Sequence, residues 1–216
     1  MNSIIRRPFR YSNNGAVFWL IGINVLIFLA MRYLGREVLI FLYERLPMRP
    51  YFIVNNGWVW SFVTYMFVHD IRGFSHIFFN MFGLFIFGMQ VERQMGSREF
   101  LLFYFVTGTL AGVFSFVFYY LTGNYGVALM GASGALFAVE LAYAVFFPDS
   151  IIYIWGILPL RAPVMVLGFT ALELFFSLTG ARGNVAHLTH LAGFGFGWLY
   201  FLVRFGINPW RRLTRR

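Results

Sequence analysis

Residues 16–34, AVFWLIGINVLIFLAMRYL, carry a single charge, Arg32. About 20 predominantly apolar residues suffice for a helix to cross the hydrocarbon core of a bilayer. Only a helix or a closed barrel satisfies its own backbone there. The stretch follows a basic tail (Arg6, Arg7, Arg10) and has no small-residue cleavage site, so it is expected to be a retained anchor rather than a signal peptide. Similar stretches recur at about 75–92, 99–121, 127–147, 160–179 and 185–206. The expectation is therefore an all-α membrane protein with six transmembrane helices.

Composition supports lipid as the surrounding medium. Of 216 residues, 60% are hydrophobic and only 12% charged, about half the charge of an ordinary soluble domain. Every basic residue is arginine and the net charge is +9. With no basic domain or recognition motif, nucleic acid is not an expected partner. Anionic headgroups and membrane topology account for the arginines better. The chain has no cysteine, which removes disulfides and thiolate-bound metals.

Three parts are expected: a short basic cytoplasmic tail (1–15), a membrane domain (16–206) and a basic cytoplasmic tail (207–216). No internal repeat or second soluble domain is legible. The 35–74 stretch is too charged to cross, with Arg36, Glu37, Glu44, Arg45, Arg49, Asp70 and Arg72, yet rich in aromatics such as Trp58 and Trp60. It reads as a structured outer loop with interfacial helices. Residues 150–163, broken by Pro159 and Pro163, are expected to bend along the interface. Six spans put both ends on one side. The arginines of the N-terminal tail and Arg204, Arg211, Arg212, Arg215 and Arg216 make that side cytoplasmic. A prokaryotic plasma membrane is the expected location.

Polar residues inside spans are costly and mark function or a buried partner. Three clusters fall at one depth near the outer face: His76-Ile-Phe-Phe-Asn80, Gly131-Ala-Ser133-Gly134, and His187-Leu-Thr-His190 with Gly193 and Gly197 following. His76 and Asn80 share a helix face, as do His190, Gly193 and Gly197. Gly131 and Gly134 on the fourth helix and Gly193 and Gly197 on the sixth allow close backbone approach. That approach would bring Ser133 to His190. A serine hydroxyl needs an adjacent base to become a nucleophile, and imidazole can return the proton to a leaving amine. The Asn80 amide, the His76 N–H and the Ser133 backbone N–H suit a developing oxyanion. No Asp or Glu is evident near His190 at its depth, so a Ser-His dyad without a carboxylate is expected.

These residues resemble the rhomboid family of intramembrane serine proteases. The matching pieces are HIFFN, GASG and HLAGFGFG, in the family's order, with VERQMGS similar to its cytoplasmic turn. The resemblance covers about 16–206. It implies Ser133 as nucleophile, His190 as base, and His76, Asn80 and the Ser133 amide as oxyanion donors, with Gly131 shaping the turn before the serine. It also implies cleavage of transmembrane segments near the outer face, often after a small residue. Where the family often has a tyrosine packed on the histidine, this chain has Phe137. The family's frequent Trp-Arg pair in the first outer loop is missing, and the N-tail is too short for the extra cytoplasmic domain of some members.

Other readings attach to the same residues. A lone serine among glycines is ordinarily packing material, and His76 and Asn80 could be interhelical hydrogen-bond glue. His187 lies one turn before His190 and could be the base instead; otherwise it packs at the rim. His69 reads as a loop residue. Glu140 and Glu173, deep in their spans, are expected to pair with polar groups of the interior, Glu140 as the neutral acid. Without cysteine, HExxH or His-x-x-x-His spacing, neither a metal nor a cofactor is expected. The competing functions are a catalytically inactive rhomboid-like sorting factor and a small transporter. The latter would call for paired broken helices or an inverted repeat. The fifth helix and the 180–186 loop are the candidate entry gate.

Overall fold

The computed structural model describes residues 9–154, 156–179 and 184–214. Arg6, Arg7, Arg215, Arg216 and the 180–183 part of the candidate gate lie outside them. The described chain is mostly helical, in the order α1 (Ala16–Tyr33), α2 (Arg36–Arg45), α3 (Pro50–Asn56), α4 (Ser61–Thr64), α5 (Ser75–Gly83), α6 (Met89–Met95), α7 (Ser97–Leu121), α8 (Ser133–Phe146), α9 (Ala162–Thr179), α10 (Asn184–Tyr200) and α11 (Pro209–Leu213). A π-helical turn, Leu84–Gly88, joins α5 to α6, and another, Phe201–Phe205, extends α10. Three helices, α1, α7 and α9, are each long and apolar enough to cross a membrane.

Apolar side chains cover the outside of the bundle as well as filling its core. Trp19, Leu121 and Leu178 are each more than 70% exposed, while Asn24, Thr107, Ser115 and Thr189 are buried. Apolar side chains facing lipid gain nothing by turning inward, so small residues and internal hydrogen bonds must hold the helices together. Glu92 shows how. It accepts the first two α1 amides, Ala16 N–H at 2.7 Å and Val17 N–H at 2.9 Å, and the Ser97 hydroxyl at 2.5 Å. A carboxylate there satisfies orphan donors and complements the positive end of the helix dipole. Likewise Glu99 accepts two bonds from the Arg204 guanidinium, at 2.8 and 2.7 Å, tying α7 to the end of the α10 run.

The 35–74 segment is ordered by aromatic packing. Trp58 stacks on Phe52 and Trp60, and the Arg45 guanidinium lies 4.3 Å over the Phe41 ring. Its last part turns inward, burying Tyr65, Met66 and Val68 completely.

Two expectations need correction. The fourth helix starts at Ser133, not near 127. Before it, Met48 and Leu129 exchange backbone hydrogen bonds at 3.0 and 2.9 Å, and Gly131 N–H donates to Tyr65 O at 3.0 Å. Those amides are spent on extended pairing. Gly131, at φ +115°, holds a conformation side-chain-bearing residues rarely adopt. The 150–163 connection is a β-hairpin, so the fold is not purely α. β1 (Ile151–Ile154) pairs antiparallel with β2 (Leu158–Arg161). Isoleucine and tyrosine favour the strand, Gly156 turns at φ +71°, and Pro159 is tolerated because a two-stranded sheet has only edges.

Candidate active site

The seam between α8 and α10 is built on glycine. A Cβ added at Gly193 would lie 1.9 Å from the Gly134 carbonyl oxygen, and one at Gly197 would lie 3.0 Å from Ala138 Cβ. The backbones therefore touch where the helices cross, as no side-chain-bearing residue would allow. Ser115 and Thr189 hydroxyls share a buried hydrogen bond of 2.7 Å beside the crossing, linking α7 to α10.

This approach brings Ser133 Oγ to 2.7 Å from His190 Nε2. Ser133 is the first residue of α8, behind Ala132. Its own N–H belongs to the first turn, whose amides have no intrahelical acceptor and sit at the positive end of the dipole. Phe137, one turn on, stacks on His190 with ring centroids 4.6 Å apart and planes 6° from parallel. Both Ser133 and His190 are half-buried.

Gly131 does not pack as part of the α8 face. It precedes the helix, and a Cβ there would meet His76 Nε2 at 2.8 Å and Ser133 Oγ at 3.7 Å. His76 thus borders the serine across a glycine. Its Nδ1 accepts the Asp70 N–H at 3.3 Å, which assigns the ring proton to Nε2, on the Gly131 side. Asp70 is set by Arg72, which donates backbone and guanidinium hydrogens to it; those bonds hold its carboxyl below the usual range. Asn80, buried on the same helix face, donates to the His76 carbonyl at 2.8 Å. It braces α5, and no hydrogen bond joins it to Ser133. His69 does lie in a loop, between Phe67 and α5, but it is not exposed there. It is buried 5.0 Å from the His76 ring, and burial pushes its imidazole down to about 3.

The expectation that no carboxylate lies near His190 is overturned. Glu173 of α9 places Oε2 2.5 Å from His187 Nδ1 and 3.1 Å from His190 Nδ1. The second contact lies off the ring N–H direction, so His190 Nδ1 has no directed hydrogen bond. Glu173 does pair with a polar group, His187, and it is His190 whose Nε2 reaches the serine. Glu140, by contrast, is buried with its Oε2 unpartnered. The donor atoms of Glu173, His187 and His190 lie within 4.8 Å of one another, a set the spacing rules for metal motifs do not find. Two ligands of one tetrahedral zinc sit about 3.3 Å apart, whereas His187 and Glu173 are at the 2.5 Å of a hydrogen bond.

A first-turn serine, a histidine on a touching helix and a second imidazole across a glycine, the groups a serine hydrolase needs, stand together inside a bundle of apolar helices. Residues 56–207 match the rhomboid domain; the chain belongs to the rhomboid family and is an integral membrane protein. It is 32% identical over 173 residues to the rhomboid protease GlpG of Haemophilus influenzae, covering 80% of this chain and 83% of that one. It is 30% identical over 148 residues to YdcA of Bacillus subtilis, a rhomboid protease candidate, covering 68% and 67%. A chloroplastic rhomboid-like protein of Arabidopsis thaliana, number 16 of its series, is 28% identical over 197 residues, covering 83% of this chain and 59% of its own.

Proposed function

We propose that this chain is an intramembrane serine endopeptidase that cleaves transmembrane segments of other membrane proteins through an acyl-enzyme on Ser133. The observation that carries the reading is the 2.7 Å contact between Ser133 Oγ and His190 Nε2. As Oγ bonds to the scissile carbonyl carbon, its proton passes to His190 Nε2 and then to the departing amine. The carbonyl oxygen becomes an oxyanion, met by the Ser133 N–H and the His76 Nε2–H. Asn80 has a second amide hydrogen to offer once substrate is bound. Water then attacks the ester and the same groups run in reverse.

Six spans are the membrane arrangement we assign. The continuous helical runs 75–95 and 184–205 support two of the additional crossings, and α8 supports the third, shortened because its approach is extended. The arginine distribution supports cytoplasmic termini, and the bacterial relatives support a prokaryotic plasma membrane. The alternative, an inactive sorting factor, requires no preserved Ser133–His190 contact.

The test is proteolysis of a labelled transmembrane substrate in proteoliposomes. Ser133→Ala and His190→Ala are each expected to lower the rate roughly 10³-fold or more. Wild-type cleavage by Ser133→Ala would overturn the reading.

A further inference from the structure

We propose that Glu173 is a positioning residue for His190, with His187 holding its carboxylate in place; this rests on the protease reading above. His187 and His190 are one turn apart on α10, and the Nδ1 atoms of both lie close to the same oxygen of Glu173, at 2.5 and 3.1 Å. With the carboxylate accepting, His187 Nδ1 carries its proton. The separation from His190 is short enough for charge to be felt, though its N–H is not aimed at the oxygen.

Chemistry gives that oxygen a task. His190 can take the serine proton only when Nε2 is bare, which requires the ring proton on Nδ1. Phe137 restrains the tilt of the ring by parallel stacking, but it has no acceptor and cannot tell one nitrogen from the other. A stacked ring rotated in its own plane would still be stacked. Glu173 supplies the distinction, since a carboxylate beside Nδ1 favours the tautomer with the proton there. When Nε2 takes the serine proton, the imidazolium charge forms 3.1 Å from the carboxylate, and a small shift of Oε2 from His187 towards His190 completes a hydrogen bond. No atom is transferred to Glu173. The arrangement matches the logic of a base oriented by a third group, reached here from a separate helix.

The experiment combines fluorophosphonate labelling rates with steady-state proteolysis in proteoliposomes. Glu173→Gln is expected to lower kcat and the labelling rate roughly 10- to 100-fold, less than the ~10⁴-fold lost with a triad carboxylate that bonds its histidine directly. KM should stay within about threefold and the thermal midpoint should be unchanged. Glu173→Asp should recover more activity than Glu173→Gln. Wild-type labelling rates for Glu173→Gln, with label on Ser133 and none on Ser133→Ala, would overturn the positioning role while leaving the protease reading intact. A lowered thermal midpoint together with no recovery by aspartate would also overturn it, in favour of a purely structural contact. If chelation by EDTA changes the wild-type rate and His187→Ala abolishes that response, the three donors hold a cation and the role assigned to Glu173 falls. Label that persists on Ser133→Ala would instead fail the protease reading itself.

Discussion

Two partners of α10, the helices α8 and α9, are held in opposite ways. Against α8 it is backbone on backbone: Gly193 faces the Gly134 carbonyl and Gly197 faces Ala138. Against α9 the site is reached by a long side chain, Glu173, while the buried residues of α9 are confined to its first turns, Ala162, Pro163, Met165 and Val166. The Ser133–His190 distance is therefore set by main-chain contact with little room to adjust. The carboxylate contact depends on a flexible side chain from a helix anchored at one end. On the proposed mechanism, the reactants that must meet within a few tenths of an ångström sit on the first kind of seam, and the group that orients one of them sits on the second.

Breaking the glycine seam should have the largest effect. Gly193→Ala would put a methyl 1.9 Å from a carbonyl oxygen, costing about 3 kcal/mol or more. Proteolysis and the thermal midpoint should fall together. If Gly193→Ala is as stable and active as wild type, the helices are not in backbone contact. Next is His76→Ala, which leaves the seam intact but removes the donor we propose for the oxyanion. kcat should drop roughly 10²- to 10³-fold with little change in KM, and an unchanged kcat would remove His76 from the site.

A third prediction concerns pH. His69 is neutral when folded, with its imidazole pushed down to about 3 from 6.5 by burial and by His76. The unfolded chain binds this proton first as pH falls, so the stability is complete above about 6.5 and declines between 6.5 and 3. At pH 5 the loss is about 2 kcal/mol. His69→Phe should flatten the thermal midpoint over that window, and an unaltered slope would refute the buried neutral imidazole. The smallest effect belongs to α9. A Cβ at Gly168 meets nothing within 4 Å, so Gly168→Ala should be neutral or stabilise by up to about 1 kcal/mol through helix propensity. A loss comparable to Gly193→Ala would erase the contrast between the two seams.

What the sequence revealed follows the same division. The spacing of Gly193 and Gly197 from His190 reads directly as a face, because helical periodicity is local. The start of α8 was not legible: Val127 to Met130 are as apolar as a helix would be, and their extended course is decided by the partner Met48, far away in sequence. The hairpin at 151–161 was obscured by the same ambiguity of short apolar runs. Asn80 lies on the predicted face, yet its amide turns to the His76 carbonyl, a choice no spacing encodes. Glu173 was within reach of a depth count. At 1.5 Å per residue it lies about 17 Å along α9 and His190 about 9 Å along α10, so in antiparallel helices crossing a core of about 30 Å the two fall within one turn in depth. Which side of α9 faces α10 is the part that only packing supplies.

The most direct test of the account is the site of covalent modification. Purified protein in lipid should be treated with a fluorophosphonate, digested, and the adduct mapped by peptide mass spectrometry. A single modified residue, Ser133, is expected, with the adduct abolished in His190→Ala. Modification of another serine at equal yield, or of Ser133 undiminished when His190 is removed, would contradict it.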